Sequence, residues 1–471
     1  MGYTRPASVW QTLDLFYYPR GITMLDFAKR WLPLRAGESK LALTLGFILF
    51  SNYAAMGITK VVSVSGFLGE VRDHYILLVW AVDMVLLILA TGLQSLIVDR
   101  FDRVKLISGV LVIFMLLYAV LPFTFLVKGF PAAISYTFVY LLNDQQWRFF
   151  PVVFWILVND IYDPGTGRRV MPFIGVFAFV GTIVGLGIAA ADAQFQFGAV
   201  PLLWLNAAIF FAAFLVSRFQ LRAVKLPPPI GVKADSMKST LTEGWDFIKT
   251  VPAFAYLALG MLAAGSVMTV LLYDALSDAK TDLGSGFQSY YAIYNLLIAV
   301  VSILAQSVST RIIERFTLKR SFLIQPVMMF LSTVANFFIP GYLGSSFAQG
   351  FSRVTYDTTD LSARKAFQAM VPNEKRGRVS IFLDSYLPSG GTILGSLITF
   401  GIISMGLRYG IPREQYSLAY IGVGVAVSLL ALFAALKVRA TYEQSMLSWQ
   451  LKRRTRGASL LSKLDFDEDD K

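Results

Sequence analysis

Apolar runs of roughly twenty residues recur along almost the whole chain, and each is long enough to cross about 30 Å of hydrocarbon as a helix. Inside lipid no water is present to satisfy backbone N–H and C=O groups, so a span must satisfy its own. The runs predict twelve spans, over 41–62, 75–98, 106–128, 133–161, 170–191, 198–217, 251–273, 286–309, 321–339, 342–369, 379–404 and 416–437. The fold class expected is an all-α polytopic membrane protein. Composition agrees, with 56% hydrophobic and 15% charged residues against about a quarter charged in soluble chains. The first forty residues lack a basic-then-apolar leader, so no processed signal peptide is expected.

The flanking charges set the direction. With the N-terminus inside, 32 of the 42 Lys and Arg fall in segments on the cytoplasmic side. Only Arg72, Lys128, Lys280, Arg408 and Arg413 fall on the other side. The remaining five, Lys60, Arg148, Arg353, Arg364 and Lys365, lie within spans. This bias is the one the positive-inside rule describes, and it favours an even number of spans with both termini cytoplasmic. The expected location is a bacterial inner (cytoplasmic) membrane, with lipid as the surrounding partner. The net charge of +12 reports topology, since the charges are spread over short loops, and no nucleic-acid partner is expected.

Several chemistries are excluded or unsupported. The absence of Cys removes thiolate metal sites and cysteine nucleophiles, and the one His, His74, cannot build a His-based metal site and reads as an interfacial residue. No phosphate-cradling Gly-Lys-Ser/Thr loop or Gly-x-Ser-x-Gly elbow occurs, so no ATP-hydrolysing pump, membrane hydrolase or other enzyme is indicated. No cofactor and no metal is expected.

The chain divides into a cytoplasmic segment 1–40, a six-helix half 41–217, a linker 218–250, a second six-helix half 251–437 and a tail 438–471. The linker carries a triple Pro and mixed charges, a composition of connecting segments, and its "STLTEGWDFIK" portion reads as a short surface helix. The tail turns from basic to acidic and reads as a solvated terminus. The halves repeat. "GRRVMPFIGVFAFVGTIVG" (Gly167 to Gly185) aligns without a gap on "GRVSIFLDSYLPSGGTILG" (Gly377 to Gly395), and "VDRFDRVKL" corresponds to "IERFTLKRS". The Gly-rich ends predict close helix–helix approach. Duplicated halves suit alternating access, with a site at their interface near the bilayer midplane.

The twelve spans and the "DRFDRVK" loop resemble the major facilitator fold, whose first cytoplasmic loop reads Gly-x-x-x-Asp-Arg-x-x-Arg-Arg/Lys. Asp99, Arg100, Arg103 and Lys105 follow that pattern loosely, with Gly92 displaced. A narrower resemblance is to the nucleotide transporter family, the ATP/ADP antiporters of plastids and obligate intracellular bacteria. It is carried by "FSNYAAMGITKVVSVSG", "FWILVNDIYDPGTGRRVMPFIGVFAFVGTIVG" and "YDTTDLSARKAFQAMVPNEKRGRVSIFLD". This resemblance places the family's first-span lysine on Lys60 and its tenth-span basic residue on Arg364 or Lys365. The family's acidic site residues do not carry over: Asn143, Asp144 and Gln145 stand near one position, and Met268 and Thr269 near the other.

Ionisable side chains in spans normally face a wet cavity or a partner. Lys60, Arg148, Arg353, Arg364 and Lys365 are therefore candidate substrate-binding residues, with Asp357 among them. Spacings of 4, 7 and 11 residues put Arg353, Asp357, Asp360 and Arg364 on one helical face. Such a surface suits phosphate or carboxylate, which Arg grips bidentately, and Trp147, Trp155 or Tyr356 offers a ring for a base. Internal i,i+4 salt bridges are the alternative reading of the same pairs. Asp83 and Asp144 are candidate proton or coupling sites. "NDIYDPGTGRR" (Asn159 to Arg169) reads as a loop pairing its acidic residues with its basic ones to hold the inward-closed state. The expected activity is alternating-access transport of a small anion such as ATP, ADP or an organophosphate. Two alternatives stand beside it: a proton-coupled facilitator of another metabolite, and a transporter-like scaffold or sensor that no longer transports.

Overall fold

The computed structural model describes residues 38–98, 101–222, 224, 237–316, 318–368, 371 and 378–465. The expectations for the N-terminal segment, the first part of the linker, Asp99, Arg100, most of the 371–378 loop and the last residues of the tail lie outside these. Among the described residues the structure is helical, with no β-strand.

Among the described residues, twelve long helical rods succeed one another. The first six are α1 (Ser39–Glu70), α2 (Ile76–Val98), α3 (Arg103–Leu126), α4 (Ala132–Ile161), α5 (Pro164–Phe195) and α6 (Ala199–Gln220). A short helix, Met237–Thr250, precedes α7 (Pro252–Leu283), α8 (Phe287–Phe316) and α9 (Ile324–Phe338). The α10 rod is composite: Tyr342–Thr355, a π-helical turn at Tyr356–Asp360, then Leu361–Gln368. Another π-helical turn, Phe382–Tyr386, leads into α11 (Leu387–Arg408), and α12 (Arg413–Asp465) closes the order.

Local chemistry fixes many of the boundaries. Asp102 caps α3 by accepting from the Lys105 N–H at 3.0 Å, and Asp163 caps α5 by accepting from the Thr166 N–H at 3.0 Å. Each offsets one of the unsatisfied donors of a helix start. Pro164 and Pro252 sit at helix starts, where their missing N–H costs nothing. Eight described stretches are long and apolar enough to cross a membrane. That number is below twelve for identifiable reasons: α9 has 15 residues, α7 and α8 merge into one apolar stretch, and α4 and α10 carry the polar residues discussed below.

The repeated glycines hold each half together. A Cβ at Gly181 would lie 2.5 Å from the Phe50 carbonyl oxygen and one at Gly185 2.2 Å from that of Ala54, so α5 touches α1 backbone to backbone. In the second half a Cβ at Gly391 would lie 2.2 Å from the Leu262 oxygen and one at Gly395 2.7 Å from that of Ser266. The same motif thus presses α11 onto α7. Small residues at such crossings allow the approach on which packing in lipid depends.

The loop Asn159 to Arg169 corrects its sequence reading. Asp160 pairs with Arg103 at 3.3 Å, Asp163 caps α5, and Arg169 grips Glu38 at 2.6 Å and 2.8 Å. Its charges tie α3, α5 and the start of α1 to the loop. Among the described side chains, no ion pair joins Asp160 or Asp163 to Arg169.

Candidate functional site

Each half contains a buried polar knot that sets the rotation of its helices. In the first half Tyr118 on α3 donates to Gln146 on α4 at 2.5 Å, and Gln146 donates to the Asn52 carbonyl and side-chain oxygens on α1, both at 3.0 Å. Thr59 donates to Tyr118 at 3.1 Å and accepts from Asn206 on α6 at 2.7 Å. In the second half, Asp274 on α7 accepts from Asn336 on α9 at 2.8 Å and from Tyr420 on α12. Helices α1, α3 and α6 thus have α7, α9 and α12 as their counterparts, with a carboxylate standing where the first half uses the Thr59 hydroxyl.

With Asn52 and Thr59 turned into the knot, Lys60 is turned the other way. Its neighbours Thr59 and Val61 are fully buried, yet Lys60 itself is exposed in the middle of α1. Among the described residues it makes no ion pair. The charged groups close enough to act on it are Arg353 and Asp357 of α10 and Asp144 of α4. The two halves therefore meet electrostatically at Lys60.

On α4, Arg148 donates to Asp144 at 3.1 Å, and its guanidinium lies 5.1 Å from the centre of the Trp147 ring. Asp83 on α2 is fully buried and accepts from Gln145 at 3.2 Å. The Asp144 carboxyl lies within hydrogen-bonding reach of it. On α10, Arg353 donates to Asp357 at 2.6 Å, and both side chains are about one-third exposed (37% and 35%). Lys60, Asp144, Arg148, Arg353 and Asp357 thus form one cluster drawn from α1, α4 and α10, and Asp83 sits behind it.

Arg364 and Lys365 belong to a different neighbourhood. Arg364, only 4% exposed, donates to Asp360 at 2.7 Å and to Asp384 at 3.2 Å, and covers the Tyr356 ring at 4.9 Å. Lys365 and Gln368 also hold Asp384, at 2.6 Å and 2.8 Å. The single face expected for residues 353 to 364 does not form. The π-helical turn at Tyr356–Asp360 adds a residue to one turn and rotates the rest of the rod, so Arg364 reaches Asp384 in the turn before α11 while Arg353 and Asp357 lie beside Lys60. Both carboxylates that hold Arg364 lie in π-helical turns. Trp155 packs edge-on to Phe154 at 5.3 Å, and the Tyr356 ring is covered by Arg364.

One end of the bundle is sealed by residues that the sequence did not single out. Asp73, before α2, accepts from Tyr273 at 3.2 Å and from Ser277, both on α7. Arg413 donates to Asp278 at 2.9 Å and to Ser277 at 3.0 Å. Asp192 at the end of α5 accepts from Gln288 on α8 at 2.7 Å. A core including Val61, Phe67, Leu68, Tyr273, Leu276, Phe287, Tyr291 and Tyr420 joins the halves at this end. At the other end, separate cores serve the first and second halves. The one available signal was the Asp274, Asp278, Asp282 ladder at four-residue spacing on α7, which puts acids on one helix face.

No family model matches the chain, and no curated protein matches it. Solved structures do. The nucleoside transporter NupG aligns with a TM-score of 0.63 at 14% identity, over 84% of this chain and 98% of that one. A bacterial homologue of the iron transporter ferroportin, in an inward-facing state, aligns at 0.62 and 13% identity, over 86% and 100%. A bacterial homologue of the human lysosomal transporter Spinster, inward-facing and unoccupied, aligns at 0.59 and 15% identity, over 88% and 99%. Identities this low establish the fold alone. The chain is an all-helical polytopic membrane protein with the major-facilitator-like fold seen in these transporters.

Proposed function

We propose that the chain is an alternating-access transporter of an anionic solute, a nucleotide or related organophosphate, in the manner of the ATP/ADP antiporters its sequence resembles. Lys60, Arg148 and Arg353 grip the anion, and Asp144 and Asp357 orient the two arginines while no anion is bound. Arg364 and Lys365 brace α10 against the turn that leads into α11 and complete the site in the state where the halves have rocked. The halves 41–217 and 251–437 move about the linker 218–250. The sealed end lies opposite the Lys- and Arg-rich loops, so it faces outward when those loops are cytoplasmic, and the vestibule opens inward.

The observation that carries this reading is Lys60: a lysine inside a spanning helix, exposed between buried neighbours, without an ion-pair partner among the described residues, and beside Arg353 of the other half. Placing a like charge beside it is unfavourable, and an anion between the two relieves that repulsion. Arg adds the planar fork that suits phosphate. Binding of labelled ATP, ADP and inorganic phosphate to the purified chain tests it. At least one of these binds, and Lys60→Ala and Arg353→Ala each weaken it at least about tenfold, as loss of a charge-assisted contact requires. Equal binding by wild type and both variants refutes the assignment.

A further inference from the structure

Asp83 and Asp144 face each other from α2 and α4 within hydrogen-bonding reach. A carboxylate oxygen only accepts, so two facing carboxylates need a proton between them. Asp83 shows that need directly: Oδ1 accepts from Gln145, while Oδ2 is buried and has no hydrogen-bond partner.

We propose that Asp83 and Asp144 share one exchangeable proton, and that this proton promotes anion binding in the vestibule. The inference rests on the anion reading above and adds the coupling ion to it. Three cations, Lys60, Arg148 and Arg353, stand near three carboxylates, Asp83, Asp144 and Asp357. With all six ionised the cluster is neutral. One proton on the carboxyl pair leaves a single positive charge in excess and loosens the claim of Asp144 on Arg148 and Lys60. Proton and anion then bind with positive coupling, which is reciprocal. The step forms one O–H bond with a proton from water, and nothing else is transferred.

The other groups around the pair do not replace it. From α4 come Tyr140, Gln145 and Arg148, and Tyr291 of α8 lies beside Tyr140. Lys60 of α1 faces Asp144, with Arg353 and Asp357 of α10 behind it. Helix α11 packs along α2 and carries no ionisable residue from Leu387 to Leu407. The π-helical turn before it, which also meets α2, brings Tyr386 and Asp384, the latter held by Arg364 and Lys365.

Two measurements on the purified full chain test the proposal. Binding of labelled ATP and inorganic phosphate is followed from about pH 5 to pH 8. Wild-type affinity falls with rising pH, by up to about tenfold per unit, the limit for one linked proton. In Asp83→Asn, where a neutral side chain imitates the protonated pair, affinity matches wild type at acid pH and exceeds it increasingly as pH rises, the ligands' own titration being common to both. An unchanged pH dependence in Asp83→Asn, or anion binding by wild type that ignores pH, overturns the proposal. Infrared difference spectroscopy across the same titration reads the proton without any anion. Wild type shows the carbonyl band of a protonated carboxylic acid, and Asp83→Asn lacks it. If no anion binds but the band is present, the shared proton stands and the anion reading fails. If wild type lacks the band, the proposal fails whatever binds.

Discussion

Replacing Gly185 by Ala should open the contact between α5 and α1. The added Cβ would lie 2.2 Å from the Ala54 carbonyl oxygen, 3.0 Å from its carbon and 3.1 Å from its Cα. Ordinary contacts begin near 3.5 Å, so the helices must separate by about 1 Å. The obstructing atom is main chain within a helix and cannot rotate aside. Overpacking costs about 1–3 kcal/mol, and this geometry argues for the upper end, about a hundredfold in the folded-to-unfolded ratio. Gly187, two residues on in α5, is the internal control, because a Cβ there meets nothing within 4 Å. Gly187→Ala should be neutral or gain up to about 1 kcal/mol from helix propensity. Unfolding in mixed micelles, followed by circular dichroism, compares the two. Gly185→Ala as stable as wild type, or Gly187→Ala equally damaged, would refute the packing argument. The repeat extends the test, since Gly395→Ala should destabilise α11 on α7 while Gly401→Ala, also in open space, should not.

Asp73→Ala removes the acceptor of Tyr273 and Ser277 and should loosen the sealed end, so that a cysteine placed at the fully buried Ala279 reacts faster with a water-soluble thiol reagent; an unchanged rate would show that the apolar core alone holds the seal. Arg364→Met should leave Asp360 buried and unpaired at a cost of about 3–5 kcal/mol, and Asp360→Asn in the same chain should recover part of it; additive losses in unfolding experiments would contradict the pairing. Tyr118→Phe removes the donor to Gln146 and the acceptor of Thr59, and should cost about 1–3 kcal/mol by leaving buried groups unsatisfied, measured in the same micelle unfolding assay; a loss within error of zero would mean that the knot does not set the helix rotations.

Some span limits were legible because hydrophobic length and helix-start residues act locally: α2 is expected from 75 to 98 and occupies Ile76–Val98, and α4 is expected from 133 to 161 and occupies Ala132–Ile161. The aligned glycines were legible as packing for the same reason. Hydropathy did not mark where helices run on past their apolar part: α1, expected to 62, reaches Glu70, α7, expected to 273, reaches Leu283, and α12, expected to 437, continues through the tail to Asp465. The faces of the helices were harder to read, because lipid is as apolar as a protein core and selects no polar side. Only the embedded charges broke that uniformity, and they pointed to Lys60, Arg148 and Arg353. Periodicity misled between Arg353 and Arg364, since a π-helical turn leaves no mark in a hydropathy pattern. The sealing contacts of Asp73, Asp192 and Arg413 were illegible because each joins residues about 100 to 200 positions apart.

Because the chain contains no cysteine, the proposed vestibule can be probed on a clean background. Lys60→Cys and Arg353→Cys, combined in one chain, should both react with a hydrophilic thiol reagent and be joined by a short bifunctional one, so that the halves remain linked after proteolytic cleavage of 218–250. ATP or inorganic phosphate, added well above the concentration that wild type needs because each variant lacks one gripping cation, should slow the labelling of each single variant. Cysteines that stay inert to the water-soluble reagent, or halves that separate after cleavage, would contradict an anion site shared between them.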